Sequence, residues 1–185
     1  MKKVLYFAAL LFCAGMTSCE KEEIGGTATE NMAGQWVVQI DAIDDSGNPI
    51  EQGEDYFGRG NTIMLTYNTS GNSATEMWVD DMGEYDLATQ YGNPAYPNYS
   101  LKTKVTINQD ALTFSSSNAA NESGAFSVSI DGKILKGAGR QNNGSPADSI
   151  VFFVTYTNDP WYPDDGYTKY KVSGIRYSGL VENER

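Results

Sequence analysis

Pairs of adjacent aspartates are the residues in this sequence whose type and spacing could support catalysis. They occur at Asp44–Asp45, Asp80–Asp81 and Asp164–Asp165. Two carboxyl groups held roughly 5 to 9.5 Å apart carry out glycoside hydrolysis. Adjacent residues of a strand point to opposite faces, so such a pair can serve one site only where it lies in a loop. A hydrolase that works through carboxylates is therefore one hypothesis that the sequence allows.

Composition excludes the commonest esterase and lipase mechanisms. The chain has no histidine, and its two cysteines are Cys13 and Cys19, so neither a Ser-His-Asp nor a Cys-His arrangement can be built. The same shortage of ligands disfavours zinc, and Asp159 with Asp164–Asp165 lacks the glycine and terminal glutamate of an EF-hand. Gly137-Ala138-Gly139 falls within a predicted strand, which is the wrong place for a nucleotide loop. The sequence assigns no catalytic residue, no metal and no cofactor.

An export signal is predicted over residues 1–18. Lys2 and Lys3 form a basic start, Val4–Ala14 is an apolar run, and small residues precede Cys19, which is the order of a cleaved signal peptide. The apolar run is shorter than the roughly 18 residues that a transmembrane helix needs. We therefore expect this segment to be removed.

The residues around the cysteine predict a membrane anchor. Met16-Thr17-Ser18-Cys19 resembles the lipobox of bacterial lipoproteins, in which cleavage precedes a cysteine that then carries lipid. The resemblance implies membrane attachment through an acylated Cys19. Stable attachment usually takes more than one acyl chain, and a triacylated cysteine would supply several. A disulfide-bonded Cys19 is disfavoured, since Cys13 would be lost with the signal.

The charged run after the cysteine has two interpretations. Glu20–Glu23 resembles the surface-export signal of lipoproteins in the Bacteroidetes, yet a short charged run is also typical of a solvated tether. We expect an outer-membrane location, facing the cell exterior or alternatively the periplasm. Residues 19–31 are predicted to form a flexible lipidated tether, and residues 32–185 a single domain.

Net charge limits the partners. Loss of Lys2 and Lys3 with the signal takes the formal net charge from −11 to −13. Nucleic acid is disfavoured because phosphate binding needs a basic patch. Contact with an anionic membrane should then come through lipid on Cys19 rather than through charge.

From Met32 onward the pattern predicts an all-β domain. Short runs rich in Val, Ile, Tyr, Phe and Thr alternate with Gly, Asn, Asp, Ser and Pro clusters. The predicted strands are Gly34–Ile43, Thr62–Tyr67, Glu76–Asp80, Tyr99–Asn108, Ala111–Ser115, Ala125–Ile130, Lys133–Gly139, Ser149–Thr157 and Tyr170–Val181. Asp131-Gly132 favours a tight type I′ hairpin, and Asn108-Gln109-Asp110 a short turn. Eight or nine consecutive strands would close into an antiparallel up-and-down barrel or split into a sandwich, and we favour the barrel.

Two sets of side chains would define a binding site in such a barrel. The predicted inward residues are Trp36, Val38, Ile40, Leu65, Tyr67, Val105, Ile107, Phe126, Val128, Phe152, Val154, Tyr170 and Val172. An interior of this size is either packed or holds one small ligand. The long connections 44–60, 82–98 and 158–168 carry aromatic residues, which either surround the mouth or pack back onto the barrel. The candidate ligand-binding residues are Tyr56, Phe57, Tyr91, Tyr96, Trp161 and Tyr162.

Gly34-x-Trp36 at the head of the first strand resembles the signature of lipocalins and the wider calycins. In those families the tryptophan closes one end of the barrel and a basic residue of the last strand lies across it. The resemblance implies that Arg176, within "SGIRYSG", takes that place over Trp36, as a cation resting on an indole. These residues would form a structural barrel floor.

The C-terminal half carries a more specific resemblance. "GKILKGAGRQNNGSPADSIVFFVTYTNDP" and "YKVSGIRYSGLVENE" resemble the Bacteroidetes lipoproteins called lipid-binding putative hydrolases, over about Gly34 to Glu184. The resemblance implies a lipocalin-like barrel that holds an apolar or amphiphilic ligand. The chain departs from ordinary lipocalins, because it has no disulfide and leaves too little sequence after the last strand for their C-terminal helix.

The expected function is a membrane-anchored lipoprotein that binds a lipid-like small molecule without catalysis. A second hypothesis is a cell-surface accessory that binds carbohydrate, in which loop aromatics stack on sugar faces. The two differ in where the apolar space should lie. A dry cavity within the barrel favours lipid, whereas a packed interior with coplanar exposed rings at one rim favours glycan.

Overall fold

The computed structural model describes residues 26–44, 46–50, 53–159, 161, 167 and 169–180. Within them, eight strands form one closed barrel. The strands are β1 Gly34–Ile43, β2 Thr62–Asn68, β3 Glu76–Asp80, β4 Lys102–Asn108, β5 Thr113–Ala119, β6 Val128–Arg140, β7 Pro146–Tyr156 and β8 Lys169–Arg176, with one short helix, α1 Leu87–Tyr91. The predicted signal peptide, Cys19, Asp45, Tyr162, Asp164–Asp165 and Val181 lie outside the described residues.

Each strand pairs antiparallel with the next, and β8 returns to pair with β1. The closing seam aligns Trp36 with Arg176 and Ile43 with Lys169. Closure leaves no free sheet edge. The prediction of an all-β antiparallel barrel is therefore confirmed.

The predicted hairpin at Asp131-Gly132 is wrong, because β6 runs unbroken through both residues. Gly132 pairs with Phe114 on one side and Phe152 on the other. The two phenyl rings meet there with centroids 5.7 Å apart, and a Cβ at Gly132 would lie 2.5 Å from Phe114 Cζ. A glycine inside a strand often marks such a close approach. Asp131-Gly132 favours a turn, but here the missing side chain of Gly132 leaves the space that two aromatic rings need. The two strands predicted on either side of it are one continuous strand, β6, so eight strands form instead of nine.

The predicted inward face of β2 is wrong by one residue. Leu65 and Tyr67 point outward and are half-buried, whereas Met64 and Thr66 are buried. Thr66 Oγ1 accepts a hydrogen bond from Trp36 Nε1 at 2.9 Å and donates one to the Met32 carbonyl oxygen at 2.6 Å. A polar inward residue that satisfies the indole therefore sets the register of this strand.

Two strands begin later than predicted. Leu101 N donates to Asp81 Oδ2 and Ser100 N to Asn98 Oδ1, so these amides do not enter the sheet ladder and β4 begins at Lys102. Phe126 lies in the connection before β6 rather than in a strand. The predicted turn after Asn108 is confirmed and joins β4 to β5.

The barrel interior is filled with apolar side chains. Of the predicted inward residues, the buried ones are Trp36, Val38, Ile40, Val105, Ile107, Val128, Phe152, Val154, Tyr170 and Val172. They belong to a single hydrophobic cluster, to which Met32, Met64, Met77 and Phe114 also contribute. Close packing of this kind stabilises the barrel directly.

The two ends of the barrel differ. The described residues of the connections from β1 to β2, β3 to β4, β5 to β6 and β7 to β8 lie at one end, which we call the mouth. The turns 69–75, 109–112 and 141–145 lie at the other end, the floor, where the chain enters β1 at Gly34. Among the described residues, no helix combines the length and the apolar character that a membrane crossing requires.

Candidate functional site

The floor of the barrel is closed by Trp36 and Arg176. The Arg176 guanidinium carbon lies 4.4 Å from the centre of the Trp36 ring, and Nη1 donates to the Ala33 carbonyl oxygen at 2.6 Å. A Cβ at Gly34 would collide with the guanidinium, which explains why glycine stands there. Trp36 is wholly buried. Its environment is that of a structural plug, with a cation on its face.

Phe57 closes the mouth. Its side chain is 5% exposed, and its ring centroid lies 5.0 Å from that of Tyr99, 5.3 Å from Tyr85 and 5.4 Å from Tyr170. Tyr56 packs beside it, 5.6 Å from Tyr170. Both predicted mouth residues therefore lie at the mouth, but they pack back over the barrel rather than standing open around it.

The loop that carries Phe57 is held by backbone and carboxylate hydrogen bonds. Tyr56 N donates to the Ile40 carbonyl oxygen at 3.1 Å and Ala42 N to that of Gly53 at 2.8 Å. Asp55, whose φ is +46°, accepts from the amides of Arg59 and Gly60. The loop is thus positioned as an extension of β1, and it places Phe57 over the end of the interior.

A second aromatic group lies at the rim, formed by Tyr91, Tyr96 and Trp161. Helix α1 places Tyr91, and Asp86 caps that helix through a bond from Thr89 N. Tyr91 is 57% exposed. The Tyr91 and Tyr96 rings are inclined by 40°, and Tyr96 and Trp161 by 73°. The three rings do not form the flat platform on which a sugar face stacks, so this geometry gives no support to the carbohydrate hypothesis.

Tyrosine hydroxyls line the mouth beneath these rings. Tyr99 Oη donates to Asp159 Oδ1 at 2.6 Å, and Tyr156 Oη donates to the Tyr99 carbonyl oxygen at 2.8 Å. Burial raises the pKa of Tyr85 to about 12, and burial together with the hydrogen bond to Asp159 raises the pKa of Tyr99. These phenols are neutral at physiological pH, so they act as hydrogen-bonding groups rather than as bases.

The carboxylates of Asp80 and Asp81 are occupied. Asp80 accepts from Tyr67 Oη and from Met82 N, each at 2.8 Å. Asp81 is fully buried and accepts from Gly83 N at 2.9 Å and Leu101 N at 2.8 Å. Burial raises the pKa of Asp81 to about 7. The two acids point to opposite faces and hold the connection from β3 to β4 in place.

Sequence reasoning missed some mouth residues and one surface feature. Tyr85, Tyr99 and Tyr156 form the mouth with Phe57. The sequence pattern places Tyr99 and Tyr156 in strands, and Tyr85 among the aromatic residues of the connection 82–98 but not among the candidate ligand-binding residues. Their aromatic character was a weak signal for a place at the mouth, since aromatic residues occur throughout the sequence. A groove on the outside of the barrel, over β2, β1 and β8, had no sequence signal that distinguished it from an ordinary outward face.

The model of a known protein family extends over most of the chain. The family described as lipid-binding putative hydrolase matches residues 21–181, so the chain belongs to it. No curated protein matches the sequence.

Proposed function

We propose that this member of the lipid-binding family is a membrane-anchored lipoprotein that binds an apolar or amphiphilic small molecule in its barrel, without catalysis. The observation that carries the proposal is the family match, together with a closed barrel whose interior is mainly apolar. In barrels of about eight strands the interior is either filled by side chains or holds one small ligand. Apolar side chains fill the interior here, so a ligand would enter only as these side chains rearrange.

A ligand would enter at the mouth. The floor is closed by Trp36 and Arg176, which contact each other across paired strands. The mouth is closed by Phe57, which lies on a connection rather than on a strand. Movement of a loop breaks fewer hydrogen bonds than movement of a strand, so the mouth is the easier end to open.

Two observations support a non-catalytic role. Asp80 and Asp81, the adjacent acidic pair of which both members are described, are bound to backbone amides of their own connection. The buried tyrosines of the mouth have raised pKa values, which removes them as bases near neutral pH. The side chains of the mouth are thus suited to binding.

The position of the N-terminus supports an anchored orientation. The chain enters at the floor, where Met32 is buried and the Ala33 carbonyl binds Arg176. Cys19 precedes Gly26 by seven residues, a reach of at most about 25 Å. An acylated Cys19 would therefore hold the floor near the outer membrane, with the mouth directed away from it.

Native mass spectrometry tests binding. We would purify residues 20–185, which include every described residue, under gentle conditions and without detergent. The expected spectrum shows a co-purified mass that organic extraction removes. A single species at the bare polypeptide mass, unchanged by incubation with mixed bacterial lipids, would contradict the proposal.

A further inference from the structure

A groove of about 920 Å³ runs along the outside of the barrel, over β2, β1 and β8. It follows the outward side chains of β1 from Gln35 to Asp41, a length of about 20 Å at the usual rise of a strand. Its volume is within the range of about 300 to 1,000 Å³ that ligand sites occupy. We call it the outer groove.

The middle of the outer groove is apolar. Val37 pairs with Ile63 on β2 and with Ile175 on β8, so three aliphatic side chains lie in one row across three strands. All three are half-buried, and Met82 at the groove's edge is 66% exposed. Outward residues of antiparallel sheets are usually polar. A row of this kind at the base of a groove fits a ligand with an apolar chain.

The floor end of the outer groove continues into a recess of about 320 Å³, since Gln141 and Tyr177 line both. Arg176 and Asp148 also line the recess. Arg176 Nε lies 3.3 Å from Asp148 Oδ2 but, among the described contacts, makes no hydrogen bond. Lys136 Nζ lies 3.1 Å from the same oxygen. Two cations around one anion make the recess locally positive in a chain of net charge −11.

The mouth end of the outer groove is balanced in charge. Asp41 and Glu84 line it, but Glu84 pairs with Arg59 at 2.7 Å and Lys171 lies opposite Asp41 in the sheet. The recess has two cations around one anion, so a negative headgroup is favoured at the recess over the mouth end. The charge distribution thus gives a bound amphiphile one direction.

We propose that the outer groove binds a single-chain amphiphile with a carboxylate or phosphate headgroup. Its chain lies on the row formed by Ile63, Val37 and Ile175, and its headgroup lies in the recess beside Arg176. This site is separate from the barrel interior and rests on the proposed function only for its ligand class.

Fluorescence titration tests the site. The probe is dansylaminoundecanoic acid, added to residues 20–185 below the concentration at which it self-associates, with its uncharged methyl ester as comparison. We expect the acid to bind at least tenfold more tightly than the ester.

Val37→Asp should weaken binding of the acid at least tenfold, because it places a charge in the apolar row. Val151→Asp is the matched control, since Val151 is also an outward, half-buried valine and should leave binding unchanged.

Asp148→Asn provides a test that structural damage cannot imitate. Asparagine can still accept the bond from Gly137 N, while the competing negative charge is removed. Burial favours the neutral acid, but the Gly137 bond, Lys136 and Arg176 together hold the pKa of Asp148 below its usual range. We expect Asp148→Asn to bind the acid about three- to tenfold more tightly.

The outcomes separate this site from the barrel interior. Equal binding by Val37→Asp and Val151→Asp, with tight binding by the unaltered protein, would overturn the outer groove and leave the interior as the site. Equal binding of acid and ester, or no gain in Asp148→Asn, would overturn the anionic headgroup. If Val37→Asp fails to fold, the gain or its absence in Asp148→Asn decides. Absence of any probe binding would overturn the outer groove, while native mass spectrometry decides the proposed function independently.

Discussion

Gly132 shows how one residue fixes the core. Its missing side chain leaves room for the Phe114 and Phe152 rings, and a Cβ would lie 2.5 Å from Phe114 Cζ. We expect Gly132→Ala to lower the free energy of unfolding by about 1 to 3 kcal/mol, as overpacking does. Urea unfolding followed by circular dichroism measures this. Gly71→Ala is the control, because no atom lies within 4 Å of its added Cβ, and it should change stability by less than about 0.5 kcal/mol. Equal stability of the two variants would contradict the packing argument.

Asp81 predicts a pH dependence of stability. Burial raises its pKa to about 7, and the charges of Asp80 and Glu84 add to the rise, whereas two backbone hydrogen bonds oppose it. In the unfolded chain the pKa of an aspartate is about 3.9. Between these values the folded state binds more protons, so this contribution to stability is fully present below about pH 4. It is lost as pH rises towards 7.

Urea unfolding from pH 4 to pH 8 measures the contribution of Asp81. At about 1.4 kcal/mol per pKa unit, its upper limit is about 4 kcal/mol. Asp81→Asn should lower stability at acidic pH, since its amide cannot accept both backbone bonds, and should flatten the pH profile. Asp131→Asn, at an exposed position on β6, should keep the slope of the unaltered protein. An unchanged slope in Asp81→Asn would refute the raised pKa.

At this scale the sequence predicted the floor better than the mouth. Trp36 and Arg176 could be assigned because the lipocalin resemblance implies a tryptophan in the first strand beneath a basic residue of the last, and they do contact each other. Thr66 could not be assigned inward, since a polar residue suggests the outer face until its bond to the indole is known. Gly132 was misinterpreted because its local sequence favours a turn, while its actual role depends on rings from two other strands.

Among the connections, the loop from β1 to β2 has a specific expected role. Phe57→Ala removes the ring that contacts Tyr85, Tyr99 and Tyr170 and so opens the mouth. If ligand enters there, its association rate should rise severalfold, because less of the closing contact must break. Stopped-flow mixing with a fluorescent fatty acid measures this rate.

Phe153→Ala is the matched control for the mouth. Phe153 faces outward on β7, where Lys169 Nζ lies 4.6 Å from its ring centre. Its removal should leave the association rate unchanged. Equal rates in the two variants would exclude entry at the mouth.

The ends of some strands could be predicted from the sequence, whereas the ends of others depend on tertiary contacts. The predicted bounds of β1 and β3 are those observed, because alternation alone defines them. The start of β4 depends on Asp81, an acid twenty residues earlier in the same connection, which takes the Leu101 amide. Likewise, aromatic residues in the loops could be placed at the mouth from connection length, but their inward packing depends on tertiary contacts.

For the whole molecule, barrel closure gives the protein a direction. Closure at the seam of β1 and β8 places the entering chain at the floor and the long connections at the mouth. The number of strands followed from the sequence to within one, whereas the choice between a barrel and a sandwich is decided by the pairing of β8 with β1. The outer groove depends on side chains of β1, β2 and β8, and could be recognised only once their register was known.

Membrane attachment is the last prediction, and it concerns the whole molecule. Cys19→Ala should leave the chain unlipidated and move it from the membrane fraction to the soluble or unprocessed fraction, because no second acyl anchor is predicted. Fractionation with immunodetection measures this, and unchanged membrane association would refute an anchor at Cys19.

In the lipidated protein, Tyr91→Cys at the 57% exposed rim should react with a membrane-impermeant maleimide on intact cells. Phe57→Cys, at the 5% exposed residue that closes the mouth, should not react. Labelling of Tyr91→Cys only after the outer membrane is opened would place the mouth in the periplasm instead.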